Sequence, residues 1–210
     1  MVDGQNPPII NINFLDTNLT TSLDGLFHHR IPESFLRLAI VGGNLTALPD
    51  NLGDIWENHA FDTINIQHTL LTHVPSTMHK LRMTKIRLIS NSIASLPEST
   101  FSSQRLVLLH LSGNPLRELP ANIGDTSALT ELVVEDTEVN EITAQVSEWC
   151  KRRRRLKGGL EYVITFHGSP VCASNSTIDD PTRSQLCETD YRNAEGTYQM
   201  EFIRQQRPFE

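Results

Sequence analysis

The sequence has few aromatic residues and no long apolar run. Aromatic side chains make up 6% of the chain, so aliphatic residues must fill whatever core it forms. No apolar stretch approaches the roughly 18 residues that a membrane helix needs, so we expect no membrane insertion. The net charge of -7 disfavours the broad basic footprint of a nucleic-acid-binding protein, so we expect no nucleic-acid partner. Three cysteines are too few for a disulfide-built scaffold, and the sequence contains no CxxC pair of the kind that binds zinc.

Signatures of catalysis and of metal binding are also missing. The chain has no GxSxG, P-loop, GxGxxG or HExxH motif, so we expect no enzyme activity, no catalytic residue, no cofactor and no metal site. One enzymatic alternative stays open: a ubiquitin-ligase-like protein, or a regulatory arm of one, with Cys187 as nucleophile close to Asp190. Only about 40 polar residues surround that cysteine, which is too few for a preorganised catalytic domain.

What the chain does contain is an internal repeat. The template LxxLxLxxNxLxxLP fits residues 106–120 and occurs six times, starting at Ile9, Phe35, Phe61, Met83, Leu106 and Leu129. Of the 30 template positions that should be apolar, 29 are apolar. Alternate residues of a strand point to opposite faces, so the paired aliphatics of each unit point inward, and neighbouring units must stack to cover them. The spacing therefore predicts a solenoid.

This pattern resembles the leucine-rich repeat superfamily over residues 9–142. The LPxxL segments at 48–52 and 119–123 are similar to the 23-residue class of plant-type and Ras-signalling repeat proteins, and FHGSPVC at 166–172 resembles the closing segment of some oomycete repeat proteins. The resemblance implies an α/β solenoid, a right-handed superhelix. Its short parallel strands would line the concave face, and irregular or short helical segments would form the convex side.

The repeat also predicts the domain limits. We expect an N-terminal stub over 1–8, six repeats over 9–142, a capping helix and strand over 143–167, and a polar, extended tail over 168–210. The stub offers the first unit no cap, which favours a fragment of a longer protein over an uncapped start. The basic run at 151–155 falls in the last turn of the predicted helix, where cations complement the helix dipole; a docking patch is the alternative.

The Asn position of the template departs from the family pattern in most units. It holds asparagine only at Asn91 and Asn114, while the other units have Thr17, Gly43, Thr69 and Thr137. Threonine replaces the asparagine hydrogen bonds only in part, and glycine does not replace them. Together with insertions at 25–30 and 55–60, this predicts a looser first half.

The functional hypothesis is a non-catalytic protein–protein interaction module in recognition or signalling, with a protein or peptide ligand on its concave face. A structural spacer without a specific partner is the alternative, and the oligomeric state stays open. The predicted partner-binding residues point outward from the strands: Asn13, Leu15, Val41, Asn65, Gln67, Lys85, Arg87, Ile89, His110 and Glu135.

Compartment and covalent modification are left open by the sequence. Cys172 and Cys187 are the favoured disulfide pair, and Asn18, Asn44 and Asn175 are candidate glycosylation sites. Three sequons are close to the number expected by chance, so they do not decide between a cytoplasmic protein and an extracellular segment of a larger one.

Overall fold

Seven short strands form one parallel sheet in the order in which they occur along the chain. The computed structural model describes residues 11–19, 36–59, 61–98, 101–103, 105–125, 127–154, 163–173 and 180–187. The strands are β1 (Asn11–Leu15), β2 (Arg37–Val41), β3 (Thr63–Gln67), β4 (Lys85–Ile89), β5 (Leu108–His110), β6 (Glu131–Val133) and β7 (Val163–Thr165). Each strand pairs with the next, so the sheet order is β1 to β7. Such sequential stacking makes the protein a parallel-strand solenoid.

The strand register agrees with the repeat alignment read from the sequence. The first inward residue of each strand pairs with that of the next, in the series Ile12, Leu38, Ile64, Ile86, Leu109, Leu132 and Ile164. Of the 30 template positions, Ile9, Ser22 and Phe35 lie outside the described residues. The other 27 all belong to the hydrophobic core or pack against it. The predicted repeat is therefore confirmed.

The returns between the strands contain little helix. Helix α1 (Leu52–Trp56) follows β2, and a 3-10 turn (Ser76–Lys80) follows β3. Trp56 is fully buried and stacks on Phe61, with the ring centroids 4.4 Å apart. The insertion predicted at 55–60 thus begins inside α1, while that at 25–30 lies outside the described residues, as do residues 1–8. The described returns hold fewer helices than the word α/β implies.

Buried polar side chains at the Asn position form hydrogen bonds between successive turns. Asn91 Oδ1 accepts from the backbone N–H of Thr69 at 3.1 Å and from its hydroxyl at 2.7 Å. At the last turn, Thr137 and Ser169 share a contact of 2.9 Å between their hydroxyl oxygens, and the Ser169 hydroxyl donates to the Val134 carbonyl at 3.0 Å. Such bonds satisfy backbone groups that would otherwise be buried without partners. Threonine and serine at the Asn position therefore also take part in the hydrogen bonds between turns.

A second row of residues turns the chain at the end of every strand. All of its members have a φ between 48° and 77°: Asp16, Gly42, His68, Ser90, Gly113, Asp136 and Gly168. The left-handed region suits glycine, and it tolerates aspartate and histidine better than most other residues. Each N–H in the row from Asp16 to Asp136 donates across to the next turn, as Ser90 does to the Ser112 carbonyl at 2.8 Å.

The C-terminal end holds a further unit of the solenoid. Helix α2 (Ala144–Arg154) lies within the predicted capping helix and strand at 143–167 and buries Val146 and Trp149. Strand β7, expected only as part of a cap, continues the template: Ile164 and Phe166 point inward and are buried. The backbone N–H of Val171 donates to the Val139 carbonyl at 2.9 Å, which extends the turn-to-turn pattern by one unit.

Two described segments differ from the expected extended tail at 168–210. These are a 3-10 turn (Pro170–Cys172) and helix α3 (Asp180–Cys187), and α3 packs against both β7 and the 3-10 turn. A disulfide joins Cys172 to Cys187, the pair favoured by the sequence, with 5.6 Å between their Cα atoms. Leu186 is fully buried, and its carbonyl accepts from the N–H of Phe166 at 2.8 Å. Few aliphatics suffice here because the covalent link holds the helix in place.

Candidate functional site

The outward residues of the strands form three rows that cross the sheet. Parallel pairing in a common register places equivalent residues side by side, about 4.8 Å apart from strand to strand. The first row begins Asn11, Arg37, Thr63, Lys85; the middle row begins Asn13, Ala39, Asn65, Arg87; and the third row begins Leu15, Val41, Gln67, Ile89. We call the outward surface of β1–β4 the open strand face, because its side chains differ in exposure from those further along.

Exposed strand residues occur in β1, β2 and β4, whereas the residues of β5, β6 and β7 are buried or half-buried. Of the ten predicted partner-binding residues, Asn13, Leu15 and Lys85 are exposed, and Val41, Asn65 and Arg87 are half-buried. The other four were also expected to face solvent, but they are buried: Gln67, Ile89, His110 and Glu135. A partner that meets this surface can therefore contact the exposed and half-buried residues of β1–β4, but not the buried Gln67 and Ile89 there. His110 and Glu135 lie beyond that region.

Glu135 shows why the predicted exposure was wrong near β6 and β7. Its side chain is fully buried, and its Oε1 accepts from the Thr165 hydroxyl at 2.9 Å, while its backbone N–H donates to the Ser112 hydroxyl at 3.0 Å. Because β7 and α3 continue the structure past β6, Glu135 lies inside the stack and not at its edge. Its role in the structure is hydrogen bonding between turns.

His110 is buried at the C-terminal end of β5. Burial, with a smaller contribution from the positive charge of Arg87, lowers the pKa of His110 from 6.5 to about 3. The imidazole is therefore neutral at pH 7, and it is a poor candidate for a charged contact with a partner.

The open strand face carries positively charged side chains, although the repeats as a whole contain more acidic than basic residues. Arg37 Nε lies 3.3 Å from Asp62 Oδ2, in a pair whose side chains are 55% and 36% exposed. Hydrogen bonds from the hydroxyls of Thr84 and Thr63, and the charge of Arg37, lower the pKa of Asp62 against the opposing effect of its burial. Arg37 was not among the predicted site residues, although its alignment with Lys85 in the first row was the signal that could have identified it.

Amide groups occupy the middle of the open strand face. Gln67 Nε2 donates to Asn65 Oδ1 at 2.6 Å, so the two side chains hold each other in place. Asn65 keeps part of its surface accessible, while Gln67 is buried. Leu15 is 44% exposed and is one of two large hydrophobic side chains, with Leu70, that the described residues leave open to solvent.

Two shallow cavities lie away from the open strand face. One, of about 490 Å³, is next to the disulfide and is lined in part by His167 and Ser169. The other, of about 360 Å³, crosses three turns on the return side and has Leu96, Leu119 and Ile142 among its lining residues. Among the described residues no group of three or more histidine, cysteine or acidic side chains could hold a metal ion. Within the same ranges no helix is long and apolar enough to cross a membrane.

The sulfur of Cys187 is bonded to Cys172, so it is not a thiol nucleophile in this structure. Of the sequon asparagines, Asn18 is exposed and Asn44 is half-buried, and Asn44 Nδ2 donates to Asn18 Oδ1 at 2.5 Å. Asn175 lies outside the described residues.

Comparison with known proteins adds no assignment to this geometry. No protein-family model matches the chain, and no curated protein matches it. The function is therefore argued from the surface itself.

Proposed function

We propose that the protein is a leucine-rich-repeat-like interaction module that binds a protein or peptide in recognition or signalling, without catalysing a reaction. The open strand face is the binding surface. The observation that carries this proposal is the exposed Leu15 beside the half-buried Val41, at one end of a sheet whose outward side chains stand in register. Aliphatic side chains left open on an ordered surface are typical of contact sites.

The rigidity of the platform supports binding. Each strand is held by its neighbours, and from β3 onward buried polar side chains at the Asn position add to this. The outward residues therefore lose little conformational freedom when a partner docks. Flanking amides at Asn13 and Asn65 can hydrogen-bond to a backbone or to polar side chains of the partner. An apolar pair bordered by amides gives affinity from burial and orientation from hydrogen bonds.

The two alternatives differ from this proposal in a measurable property. A ligase-like enzyme needs Cys187 as a free thiol, and the disulfide supports its exclusion. A spacer without a specific partner has no saturable contact on the open strand face. The spacer alternative is thus the one that a binding experiment must reject.

Site-specific photocrosslinking tests the proposal. A photoreactive amino acid replaces Val41 on the open strand face, and a matched control variant carries it at His79, an exposed residue of the 3-10 turn on the return side. In extracts of the source cells we expect a protein adduct from position 41 that excess unmodified chain suppresses, and no such adduct from position 79.

The competitor decides whether the adduct reports the proposed surface. Excess Leu15→Lys chain should fail to suppress it, because a charge replaces the exposed aliphatic residue. If that variant competes as well as the unmodified chain, or if both positions give the same adducts, the open strand face is not the binding surface.

A further inference from the structure

The charges of the solenoid are distributed unevenly between its faces. Residues 1–142 contain 16 acidic and 8 basic side chains, so a random surface patch should be acidic. The open strand face is the opposite: its twelve outward positions include Arg37, Lys85 and Arg87 and no carboxylate. From this segregation we propose that the open strand face binds an acidic peptide segment. The inference rests on the proposed function and names the chemistry of the partner.

The carboxylates closest in sequence to this surface offset the charge of Arg37 but not that of Lys85. Asp62 comes directly before β3 and is hydrogen-bonded by the hydroxyls of Thr84, at 2.5 Å, and Thr63, at 3.0 Å, besides Arg37. Asp16 follows β1 at the opposite end of the strands from Arg37 and Lys85. Lys85 is exposed and has no ion pair within the described part of the chain. Lys85 therefore keeps its charge for a ligand, and Arg37, which bonds Asp62 through Nε, has further N–H groups with which to bind one.

The register of the sheet fixes the spacing that the ligand must match. Arg37 and Lys85 both pair with Thr63, from either side, so they stand two strand spacings apart, which is about 9.6 Å. Carboxylates three residues apart in a polyproline II segment lie on one side of it, about 9.3 Å apart. An acidic segment that crosses the strands in this conformation places one carboxylate opposite each cation.

The third row sets the orientation of the partner. Leu15 and Val41 lie at the ends of their strands, whereas Arg37 and Lys85 lie at the starts. Aliphatic side chains of the ligand therefore face the third row, and its acids face the first row. The acidic residue of β6, Glu131, belongs to the part of the sheet that follows the open strand face.

Peptide selection followed by affinity measurement tests this inference. A random twelve-residue peptide library is panned against the full chain with its disulfide intact, and recovered peptides are synthesised with a fluorescent label. We expect an excess of Asp and Glu, with pairs at positions i and i+3. Dissociation constants from fluorescence anisotropy should rise with salt, because exposed charge pairs are screened.

Paired variants locate the binding. Arg37→Ala combined with Lys85→Ala should weaken the recovered peptides by roughly threefold to tenfold, the loss typical of two exposed charge pairs. Arg117→Ala is the matched control, because Arg117 is an exposed cation paired with Glu138 on the return side, and it should leave the affinity unchanged. All of these side chains are exposed, so circular dichroism should show an intact fold for each variant.

The remaining outcomes separate this inference from the proposed function. Peptides that lose affinity with Leu15→Ser but carry no acidic excess would overturn the acidic partner and leave the binding face standing. Peptides insensitive to every open-face substitution would overturn both. If a labelled twenty-residue oligothymidylate binds as tightly as the best peptide, the surface is a general polyanion site and the assignment to a peptide is wrong.

Discussion

Asn114 offers the most direct test of how the turns are held together. Its side chain is 2% exposed, and its Nδ2 donates to the carbonyls of Leu88 and Leu111, both at 2.7 Å. Its Oδ1 accepts from the N–H of Ile93 at 3.1 Å. Asn114→Ala leaves three buried backbone groups without these partners. At about 1–3 kcal/mol for each unsatisfied group, less whatever relaxation recovers, we expect the free energy of unfolding to fall by about 3–5 kcal/mol.

Urea denaturation of the full chain, followed by tryptophan fluorescence and by circular dichroism, measures this loss. Trp56 and Trp149 are buried near opposite ends of the described stack, so the fluorescence follows both halves. Asn140→Ala, at an exposed asparagine, is the control and should change stability by less than about 0.5 kcal/mol. If Asn114→Ala costs less than about 1 kcal/mol, the buried amide does not hold the turns together.

The other predictions concern the turn row, the disulfide and the buried histidine. Ser90 has a φ of 52°, so Ser90→Gly should raise the free energy of unfolding by about 0.5–1 kcal/mol in the same urea assay, whereas Gly113→Ala should lower it, because a Cβ there would lie 2.8 Å from Ser90 Oγ. Reduction of the Cys172–Cys187 bridge, whose partners are 15 residues apart, should lower stability by about 3 kcal/mol and speed hydrogen exchange of the Phe166 amide; a variant with both cysteines changed to serine should not respond to reductant. The pKa of about 3 for His110 lies below its value in the unfolded chain, so the unfolded state binds the proton first and stability falls as the pH drops from about 6.5 towards 3, by about 2 kcal/mol at pH 5. His110→Gln should flatten this part of a stability–pH profile, and an unchanged slope would contradict the assignment.

The inward half of the structure could be predicted from the sequence because its positions obey one rule. An inward side chain must be apolar whatever its neighbours are, so a period-two pattern repeated every 22 to 26 residues identifies both the strands and their register. Leu38, Ile64 and Ile86 were placed side by side on that rule alone, and the structure pairs them. Burial on this face depends only on local alternation.

The outward half could be predicted only in part, because exposure there depends on distant segments. Whether His110 or Glu135 meets solvent is decided by what packs beyond it, and that includes a strand and a helix that come later in the chain. The seventh unit was missed as a repeat because 32 residues separate Leu132 from its partner Ile164, and because Ser169 occupies its Asn position. Arg37 was missed because the outward residues were chosen from the middle and third rows more than from the first.

The inward and outward residues of this solenoid form two separate sets with different effects. Stability comes from inward aliphatics and from the buried polar side chains at the Asn position. These positions repeat from turn to turn, and few other residue types fit them. In the proposed function, specificity comes from outward residues such as Arg37, Lys85 and Leu15, whose side chains contribute little to the core. Because the two sets do not overlap, the charge of the open strand face can oppose that of the acidic ladder around it without weakening the fold. An acidic partner of the proposed kind would be attracted to β1–β4 more strongly than to the acidic turns around it, so the charge distribution would favour docking on the open strand face.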